Sequence, residues 1–512
     1  MNNNEFIKIN DTEFEDLLKS SVPYKPPEEI VKAVTPWKKA IKRVLWGLAL
    51  NTLTLNLFYL NYILPVIGTI LSILGIRVLR NETKWFKAYY TLNIIRVVYL
   101  LFVLCFNATI NLREMIPQAV SVVVNLLLTF LNIVFFCASL YSVEKKSGIQ
   151  PRTVPMFALV LWYAGVAFLG IINFNGFIIP WVMIIGFIVI LVSLNKISKD
   201  IDQIGYSIEN SPVKTNDGLM TALIVIAVVA SIGCGYAFGG SYKMQWEVKD
   251  KNEHIEVTQV RTHLLLLGFP EDVLNDMTAE DILKCKDATK VVVYEDKAAF
   301  NDNFRMETVT VQKTPYFKTK KQVKVYDVEE MTVTGIGVCL SEETQGDGNW
   351  QLIHHFCWDV NPGFYGTESM QLWPGYRQRS GGYRSNGEIS GRVLYTKDGI
   401  DYVSPYHRLG AETYTSDSIF WGQETNTDSF ATFSLPNNGE RQRGYITYGI
   451  ADNKDDVSSV IDSWVNYTHQ ESFLQYPAIT AKEKRQTDGA NKSFPFRTHQ
   501  SALQIADREL MQ

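Results

Sequence analysis

The segment from Trp373 to Gly387 carries the side chains best suited to bind a ligand. It holds six aromatic or arginine residues among four glycines: Trp373, Tyr376, Arg377, Arg379, Tyr383 and Arg384. Aromatic faces stack on sugar rings or cations, arginine forks match carboxylates and phosphates, and glycines allow close approach to a ligand. These residues predict a ligand-binding loop. The simpler alternative is a solvated loop whose aromatic rings pack on the surface of their own domain.

Two adjacent histidines, His354 and His355, are followed by Asp359 and suggest a metal site. Adjacent residues of a regular strand point to opposite faces, however, so both imidazoles cannot reach one ion. We therefore predict no metal site. The glycine-rich patterns that hold nucleotide phosphates are also absent from the sequence, and we predict neither a cofactor nor a nucleic-acid partner.

Catalytic residues have weaker support. Ser404, His407 and Asp401 could form a triad on paper, but no nucleophile elbow accompanies them. An envelope hydrolase that uses the acids Glu388, Asp398 or Asp401 is a further hypothesis. Because the sequence contains no catalytic motif, a protein without enzymatic activity is the preferred interpretation.

The elements that position these residues follow from charge and hydropathy. Residues 1–240 hold 20 Lys+Arg against 14 Asp+Glu, a net of +6, and residues 241–512 hold 29 against 39, a net of −10. A mean hydropathy of −0.02 hides this contrast. A basic apolar half joined to an acidic half is typical of a membrane protein whose halves face different compartments.

Seven apolar segments in the first half are close to the ~20 residues that span a bilayer. They are Val44–Leu60, Tyr62–Leu79, Ala88–Phe106, Ile116–Leu140, Pro155–Ile172, Ile178–Leu194 and Leu219–Gly239. We expect the first two to form a tight helical hairpin, with Asn61 at the turn and Pro65 just inside the second helix. An interfacial first helix is the alternative.

Basic residues predict the orientation of these segments, because they occur in every second loop and are nearly absent from the others. They are Lys38, Lys39, Lys42 and Arg43; Arg77, Arg80, Lys84 and Lys87; Lys145, Lys146 and Arg152; and Lys196, Lys199 and Lys214. Basic loops stay in the cytoplasm. We therefore predict a plasma-membrane protein with a cytoplasmic leader over residues 1–43 and a transmembrane domain over 44–240. The chain from Ser241 onward is predicted to be extracytoplasmic.

Few polar residues interrupt the apolar segments. Asn51, Asn56, Asn125 and Asn132 are predicted to form hydrogen bonds between helices rather than an ion pathway. Arg96 is predicted to lie near the cytoplasmic end of the third segment and to reach the lipid headgroups. A substrate route through Arg96 is the alternative.

The second half is divided into three regions. Residues 241–305 are predicted to form a connector of short helices, 306–480 a β-rich domain, and 481–512 a polar, mobile tail. Helical character extends over Glu256–Val293. A further helix is predicted over Val457–Val465, behind Asp455 or Asp456 as its cap. Within the connector, Thr278 and Asp281 fit a capping box.

Alternating patterns predict three hairpins in the β-rich domain. The first pairs Thr332–Leu340 with Trp350–Val360, with Ser341 opposite Trp350. This register separates Cys339 from Cys357, and the odd number of cysteines in this half, with Cys285, also disfavours a disulfide framework.

The second hairpin turns at Asp398-Gly399 and places Tyr395 opposite Tyr402, because Asp-Gly favours a type I′ turn. The third joins Phe430–Leu435 to Gly444–Ile450.

Three sequence segments carry a resemblance to a known group of proteins. Pro36-Trp37-Lys38-Lys39, Leu64–Arg80 and Leu267-Gly268-Phe269-Pro270-Glu271-Asp272 together resemble uncharacterised multi-pass membrane proteins of Gram-positive anaerobic bacteria. The likeness covers the membrane half and the start of the second half. It implies a topology and no activity, so no site residue is taken from it.

The predicted fold is an α-helical transmembrane bundle of about seven spans, followed by a β-rich α+β extracytoplasmic domain that resembles a sandwich or barrel. The lipid bilayer is the predicted partner of the helices. The preferred function is a receptor-like or cell-envelope interaction protein that binds a glycan or wall component outside the cell. A transporter or transporter-accessory subunit is the first alternative, and a membrane-anchored envelope hydrolase is the second.

Overall fold

The chain is organised in two compact units. The computed structural model describes residues 37–53, 59–110, 118–172, 174, 176, 178–204, 208, 211–250, 254–314, 317–340, 349–373, 383–418, 422–452, 461–473, 475–487 and 492–505. The helical unit comprises Met1–Phe106 and Arg113–Cys234. The sandwich unit comprises Asn107–Leu112 and Gly235–Gln512.

Apolar helices dominate the first half, as the sequence predicts. They are α1 Trp37–Thr52, α2 Leu60–Leu79, α3 Lys84–Asn107, α4 Gln118–Lys146, α5 Thr153–Ile171, α6 Ile178–Ile204 and α7 Asp217–Gly239. Within the described residues, the six helices α2 to α7 are long and apolar enough to cross a membrane. Helix α1 has 16 residues and is ~24 Å long, which is less than the ~30 Å hydrocarbon core. The described chain therefore has six candidate spans where about seven were predicted.

Helices α1 and α2 form the expected helical hairpin, but its turn differs from the prediction. Asn61, predicted at the turn, lies in the first turn of α2, because α1 ends at Thr52 and α2 begins at Leu60. Pro65 lies inside α2, as predicted.

Glycines allow the two backbones of this hairpin to touch. A Cβ atom added at Gly75 would lie 2.5 Å from Ala40 O, and one at Gly68 would lie 2.7 Å from Gly47 O. In a bilayer, small residues at such positions let helices approach closely and gain van der Waals contact. Glycine is therefore required where α2 passes α1.

A valine at position 75 is expected to force α1 away from α2. We expect Gly75→Val to destabilise the helical unit by about 1–3 kcal/mol, the usual cost of overpacking. The measurement is the thermal midpoint of the full-length protein in detergent. Gly186→Val in α6 is the matched control, since a Cβ there meets no atom of the described chain within 4 Å. Equal losses in the two variants would contradict the argument.

Ion pairs gather at one end of the helical unit. They join Arg43 and Arg77 to Asp217, Lys146 to Glu82, and Arg152 to Asp200. In addition, Trp37 Nε1 at the start of α1 donates to Ser198 O near the end of α6 (3.3 Å). The basic segments that alternate along the sequence therefore meet at a single end, which we call the basic end.

Two antiparallel sheets build the sandwich unit. Its strands are β1 Glu247–Val248, β2 Ala288–Ala298, β3 Phe304–Thr314, β4 Phe317–Tyr326, β5 Met331–Leu340, β6 Asn349–Trp358, β7 Glu368–Trp373, β8 Tyr383–Lys397, β9 Ile400–Pro405, β10 Arg408–Ser418, β11 Gly422–Phe433, β12 Glu440–Asp452, β13 Ile461–Gln470, β14 Lys492–Ser493 and β15 Phe496–Ile505. The seven-stranded sheet has the order β1-β9-β8-β12-β6-β5-β2, and the six-stranded sheet has the order β10-β11-β7-β13-β15-β14. Strands β3 and β4 form a separate ribbon. The helices are α8 Ile255–Leu266, α9 Glu271–Asp276, α10 Ala279–Leu283 and α11 Ala481–Thr487.

Aromatic side chains fill the space between the two sheets. Phe356 of the seven-stranded sheet packs on Tyr467 and Phe433 of the six-stranded sheet, with ring centroids 4.7 Å and 5.6 Å apart. All three are fully buried. The predicted fold class, a helical bundle followed by a β-rich domain of sandwich type, is confirmed.

Two local predictions in the sandwich unit are confirmed. Asp398 and Gly399 have φ values of 52° and 74°, as a type I′ turn requires. Tyr395 lies opposite Tyr402, and their rings stack with centroids 5.0 Å apart. Thr278 caps α10 by accepting a hydrogen bond from Asp281 N (3.1 Å).

The register of the β5–β6 pair differs from the prediction by two residues. Cys339 lies opposite Trp350, so paired positions sum to 339 + 350 = 689 where a sum of 691 was predicted. A shift of two residues leaves every side chain on its original face, and the hydrophobic pattern therefore cannot select between these registers. Cys357 lies opposite Thr332, and the two cysteines are not cross-strand neighbours.

The predicted hairpin between Phe430–Leu435 and Gly444–Ile450 is wrong. Strand β11 pairs with β10 and β7, whereas β12 pairs with β6 and β8. The intervening turn carries the chain from one sheet to the other. Short loops connect strands both within one sheet and between two sheets. The loop sequence alone therefore could not exclude a hairpin, which is the simpler of the two connections.

Three regions contain strands that the sequence analysis missed. Strand β2, Ala288–Ala298, lies in the predicted helical connector and pairs with β5. Strand β13, Ile461–Gln470, replaces the end of the helix predicted over Val457–Val465, whose residues up to 460 lie outside the described chain. The predicted tail from residue 481 contains α11 and β15, and β15 pairs with β13.

Candidate functional site

One face of the six-stranded sheet points away from the sandwich core, and we call it the outer face. Successive residues of a strand alternate between faces. On β7, Met370 and Leu372 enter the core, so Gln371 and Trp373 face outward. The same alternation on β13 buries Val465 and Tyr467 in the core and places Trp464 and Asn466 on the outer face.

Two tryptophans lie side by side on the outer face. Trp373 and Trp464 are cross-strand partners, and their rings stack with centroids 6.0 Å apart and an interplanar angle of 26°. Both side chains are half-buried. Since each ring is anchored on a strand of the same sheet, the pair forms a preorganised aromatic surface.

A buried carboxylate lies beside this pair. Asp428 on β11 has no exposed surface, and it accepts hydrogen bonds from Gln371 Nε2 (2.8 Å) and from the Tyr414 hydroxyl (2.7 Å). A carboxylate buried in this way is stable only when donors surround it. The network therefore fixes the side chains of three neighbouring strands.

Arg485 on α11 extends the network toward the tryptophans. Its Nε donates to Gln371 Oε1 (2.8 Å). Burial lowers the pKa of the Arg485 guanidinium, although the charges of Tyr414 and Asp428 act in the opposite sense. The Asn466 amide is best oriented with its oxygen toward Trp373 and Arg485. In this orientation the oxygen accepts hydrogen bonds from Trp373 Nε1 (2.5 Å) and Arg485 NH2 (3.1 Å). The Gln371 and Asn466 amides are buried, whereas the two indole rings and Arg485 remain partly exposed. These exposed groups suit a ligand with both ring faces and hydroxyls.

The structure separates the residues predicted for a single binding loop. Trp373 ends β7 in the six-stranded sheet, whereas Tyr383 and Arg384 begin β8 in the seven-stranded sheet, opposite Asp452 and Ala451. Tyr376, Arg377 and Arg379 lie outside the described residues. Of the predicted set, only Trp373 belongs to the outer-face site as far as the described chain extends.

The remaining residues of the outer-face site were missed by the sequence analysis. They are Gln371, Tyr414, Asp428, Trp464, Asn466 and Arg485. A period of two was visible around Trp464, since Trp464 and Asn466 flank the apolar Val465. The competing helical spacing of Val457, Ile461 and Val465 concealed it.

The adjacent histidines point to opposite faces, as predicted. His354 Nε2 lies 2.6 Å from Ser463 Oγ inside the sandwich, whereas His355 Nε2 lies 3.0 Å from Asp276 Oδ2 on the other side of the sheet. Within the described residues, no group of three or more His, Cys, Asp or Glu side chains could hold a metal ion. The two histidines therefore belong to two separate hydrogen-bond networks.

The network around His355 fastens the short helices to the seven-stranded sheet. Burial alone would raise the pKa of Asp276, but the hydrogen bond from His355 and the charge of Arg443 outweigh burial and hold this pKa below its usual value. Asp281 behaves in the same way, because donors including Ser390 outweigh its burial. Both carboxylates are inaccessible to a ligand.

The residues considered for catalysis do not come together. Ser404 Oγ donates to Pro405 O, Asp401 pairs with Arg443, and the His407 ring stacks on Tyr242 with centroids 4.3 Å apart. Each member of the hypothetical triad is thus engaged elsewhere.

The carboxylates proposed for a hydrolase are also far apart. Glu388 and Thr396 are eight residues apart on β8 (396 − 388), or about 26 Å at ~3.3 Å per residue, and Asp401 lies opposite Thr396. Asp398 occupies the turn beyond. Paired carboxylates of glycosidases are about 5–10 Å apart, so Glu388 cannot pair with either aspartate.

The polar residues of the apolar helices have different environments. Asn51 accepts a hydrogen bond from Thr69 Oγ1 (3.3 Å) across the α1–α2 hairpin, as predicted. Asn132 is 1% exposed, and its Nδ2 has no hydrogen-bond partner within the described chain. Asn125 is exposed, and Asn56 lies outside the described residues. Arg96 is residue 13 of the 24 in α3, which places it near mid-helix and not near the end.

Comparison with known proteins gives no assignment. No protein-family model and no curated protein matches this chain.

Proposed function

We propose that this chain is a multi-pass membrane protein whose sandwich unit binds a glycan of the cell envelope through the outer face of its six-stranded sheet. The observation that carries the proposal is the stacked pair Trp373 and Trp464 beside a fixed hydrogen-bond network. Sugar rings have apolar faces that stack on indole rings and hydroxyls that hydrogen-bond to amides and charged groups. A rigid platform loses little entropy when a polymer binds to it.

An extracytoplasmic position of the sandwich unit is part of this proposal. Basic residues between spans are retained in the cytoplasm, and the basic segments lie at one end of the helical unit. Helix α7 starts at that end with Asp217, whose carboxylate pairs with Arg43, and runs away from it to Gly239. This direction supports delivery of the following chain to the outer side of a plasma membrane.

Substitution of the two tryptophans tests glycan binding. Loss of stacking at both rings, at ~0.5–2 kcal/mol each, is expected to weaken binding by roughly fivefold to nearly a thousandfold. The double variant Trp373→Ala with Trp464→Ala would be compared with the parent full-length protein on immobilised cell-wall oligosaccharides. Tyr294→Ala is the matched control, since Tyr294 is a half-exposed aromatic of β2 in the other sheet.

The outcome separates binding from folding. Unchanged binding in the double variant, or an equal loss in Tyr294→Ala, would contradict the proposal. A thermal midpoint measured on the same samples shows whether lost binding reflects lost fold.

A transporter is the second candidate, and the buried Asn132 amide favours it. A polar group without a partner among the described residues is costly inside an apolar bundle, and Arg96 places a further polar group near the middle of α3. Flux measured in vesicles with the parent and with Asn132→Leu distinguishes this candidate, since the glycan proposal expects no flux from either.

A further inference from the structure

A cavity with binding chemistry lies at the basic end of the helical unit. Its volume is ≈ 450 Å³, within the ~300–1,000 Å³ range of small-molecule sites. It is lined by α1, α2, the start of α7 and the segment before α7, through Lys39, Arg43, Arg77, Ser211, Val213 and Asp217 among others.

The charges that line the cavity do not balance. Among the described residues of the lining, Lys39, Arg43 and Arg77 supply three positive charges and Asp217 one negative charge, a net of 3 − 1 = +2. Asp217 divides its carboxylate between the two arginines, with Oδ2 2.7 Å from Arg43 NH2 and Oδ1 bonded to Arg77 NH2. One carboxylate therefore serves two guanidinium groups, and an excess of positive charge remains.

Arg77 is the most deeply placed of these cations. It is 4% exposed, and its NH1 donates to Thr215 Oγ1 (3.3 Å). Within the described residues, its Nε has no hydrogen-bond partner. Burial of a guanidinium with an unsatisfied donor is costly, and a negative charge bound in the cavity would stabilise the buried cation.

The walls of the cavity are held in place independently of any ligand. Ser211 N donates to Val78 O (2.9 Å), and Arg80 NH2 donates to Pro212 O (2.8 Å). Asn81 N donates to Ser211 Oγ (2.9 Å). The segment before α7 is thus fixed to the end of α2, and the cavity between them is preorganised.

We propose that this cavity binds a phosphate group, carried either by an anionic lipid headgroup or by a small soluble compound. Arginine forks match phosphate oxygens in geometry and charge. Basic pockets between membrane helices on the cytoplasmic side suit phosphate-bearing headgroups. The site lies in the helical unit and is independent of glycan binding by the outer face.

Two neighbouring lysines provide a matched test. Lys38 and Lys39 are both exposed, but only Lys39 lines the cavity. In the full-length protein in detergent, binding of phosphatidylglycerol and of phosphatidylcholine would be measured by native mass spectrometry. Inorganic phosphate would be titrated by thermal shift. Lys39→Ala is expected to lower the affinity for the phosphate-bearing ligand about fivefold, and Lys38→Ala to change it less than twofold.

A second variant addresses the guanidinium itself. Arg77→Lys keeps the charge and removes the fork, and we expect it to lower the affinity more than tenfold. Its thermal midpoint without ligand reports whether it folds. If it does not fold, the comparison of the two lysine variants still decides the question.

The ligands distinguish the source of the phosphate. Preference for phosphatidylglycerol over phosphatidylcholine without a response to inorganic phosphate assigns the cavity to a lipid headgroup, and a response to inorganic phosphate assigns it to a soluble compound. Equal losses of affinity in Lys38→Ala and Lys39→Ala would overturn the proposal. Equal binding of phosphatidylglycerol and phosphatidylcholine, together with no response to inorganic phosphate, would also overturn it.

Discussion

Replacement of Arg443 by methionine is expected to lower the free energy of unfolding of the sandwich unit by about 3–5 kcal/mol. Arg443 is 4% exposed. Its Nε lies 2.9 Å from both carboxylate oxygens of Asp276, and its NH2 lies 3.0 Å from Asp401 Oδ1. Methionine fills a similar volume but leaves the buried Asp276 carboxylate with the His355 imidazole as its hydrogen-bond partner within the described chain. An uncompensated buried charge of this kind is among the most destabilising changes known.

Denaturant unfolding of the full-length protein, followed by tryptophan fluorescence, measures this effect. Arg305→Met is the control, because Arg305 pairs with Glu307 and Asp327 at an exposed surface and should leave stability nearly unchanged. If both variants lost the same stability, the buried network would not be the cause. Addition of Asp276→Leu to Arg443→Met should restore part of the loss, since it removes the stranded charge.

A fall in pH from 6.5 to 4 is expected to remove about 3 kcal/mol of stability through His354 alone. Burial lowers the pKa of His354 to about 4, against about 6.5 in an unfolded chain. Between these two pH values, His354 is therefore protonated in the unfolded state and neutral in the folded state. The contribution is fully present above pH 6.5 and declines steadily as the pH approaches 4.

The slope of stability against pH identifies the group. His354→Asn should flatten this slope between pH 6.5 and 4 whatever its effect on absolute stability, whereas His254→Asn, at an exposed position, should leave it unchanged. An unaltered slope in His354→Asn would rule out this histidine as the source. Below about pH 4 a second decline should follow, because Asp276 and Asp401 have lowered pKa values and lose their ion pairs when protonated.

The sequence was sufficient to predict an element when its pattern of residues is typical of one kind of structure only. Apolar runs near membrane thickness located the helices α2 to α7, and a turn that needs positive φ located the hairpin at Asp398 and Gly399. The exact turn between α1 and α2 was misplaced because Asn61 can start a helix as well as end one. Hydropathy alone does not show where one helix ends and the next begins when both helices are apolar.

Pairing between distant strands was beyond the sequence. Ile461 and Val465 match both helical and alternate spacing, and the choice depends on β7 and β15 as neighbours of β13. The site shows the same limit. Trp373 was identified from its residue type, but its partner Trp464 is 91 positions later (464 − 373), and no local pattern links them.

The order of strands in the two sheets also governs how quickly the molecule can fold. Glu247 of β1 pairs with Val403 of β9, 156 positions later (403 − 247). Strand β7 likewise pairs with β13, which is much later in the sequence. Folding slows as the separation between paired residues grows, whereas the α1–α2 hairpin closes locally. The sandwich unit therefore completes its sheets well after the helices form. During that interval its unpaired strand edges can pair with other chains and aggregate. A high yield of folded protein therefore requires that a chaperone cover these edges until the sheets are complete.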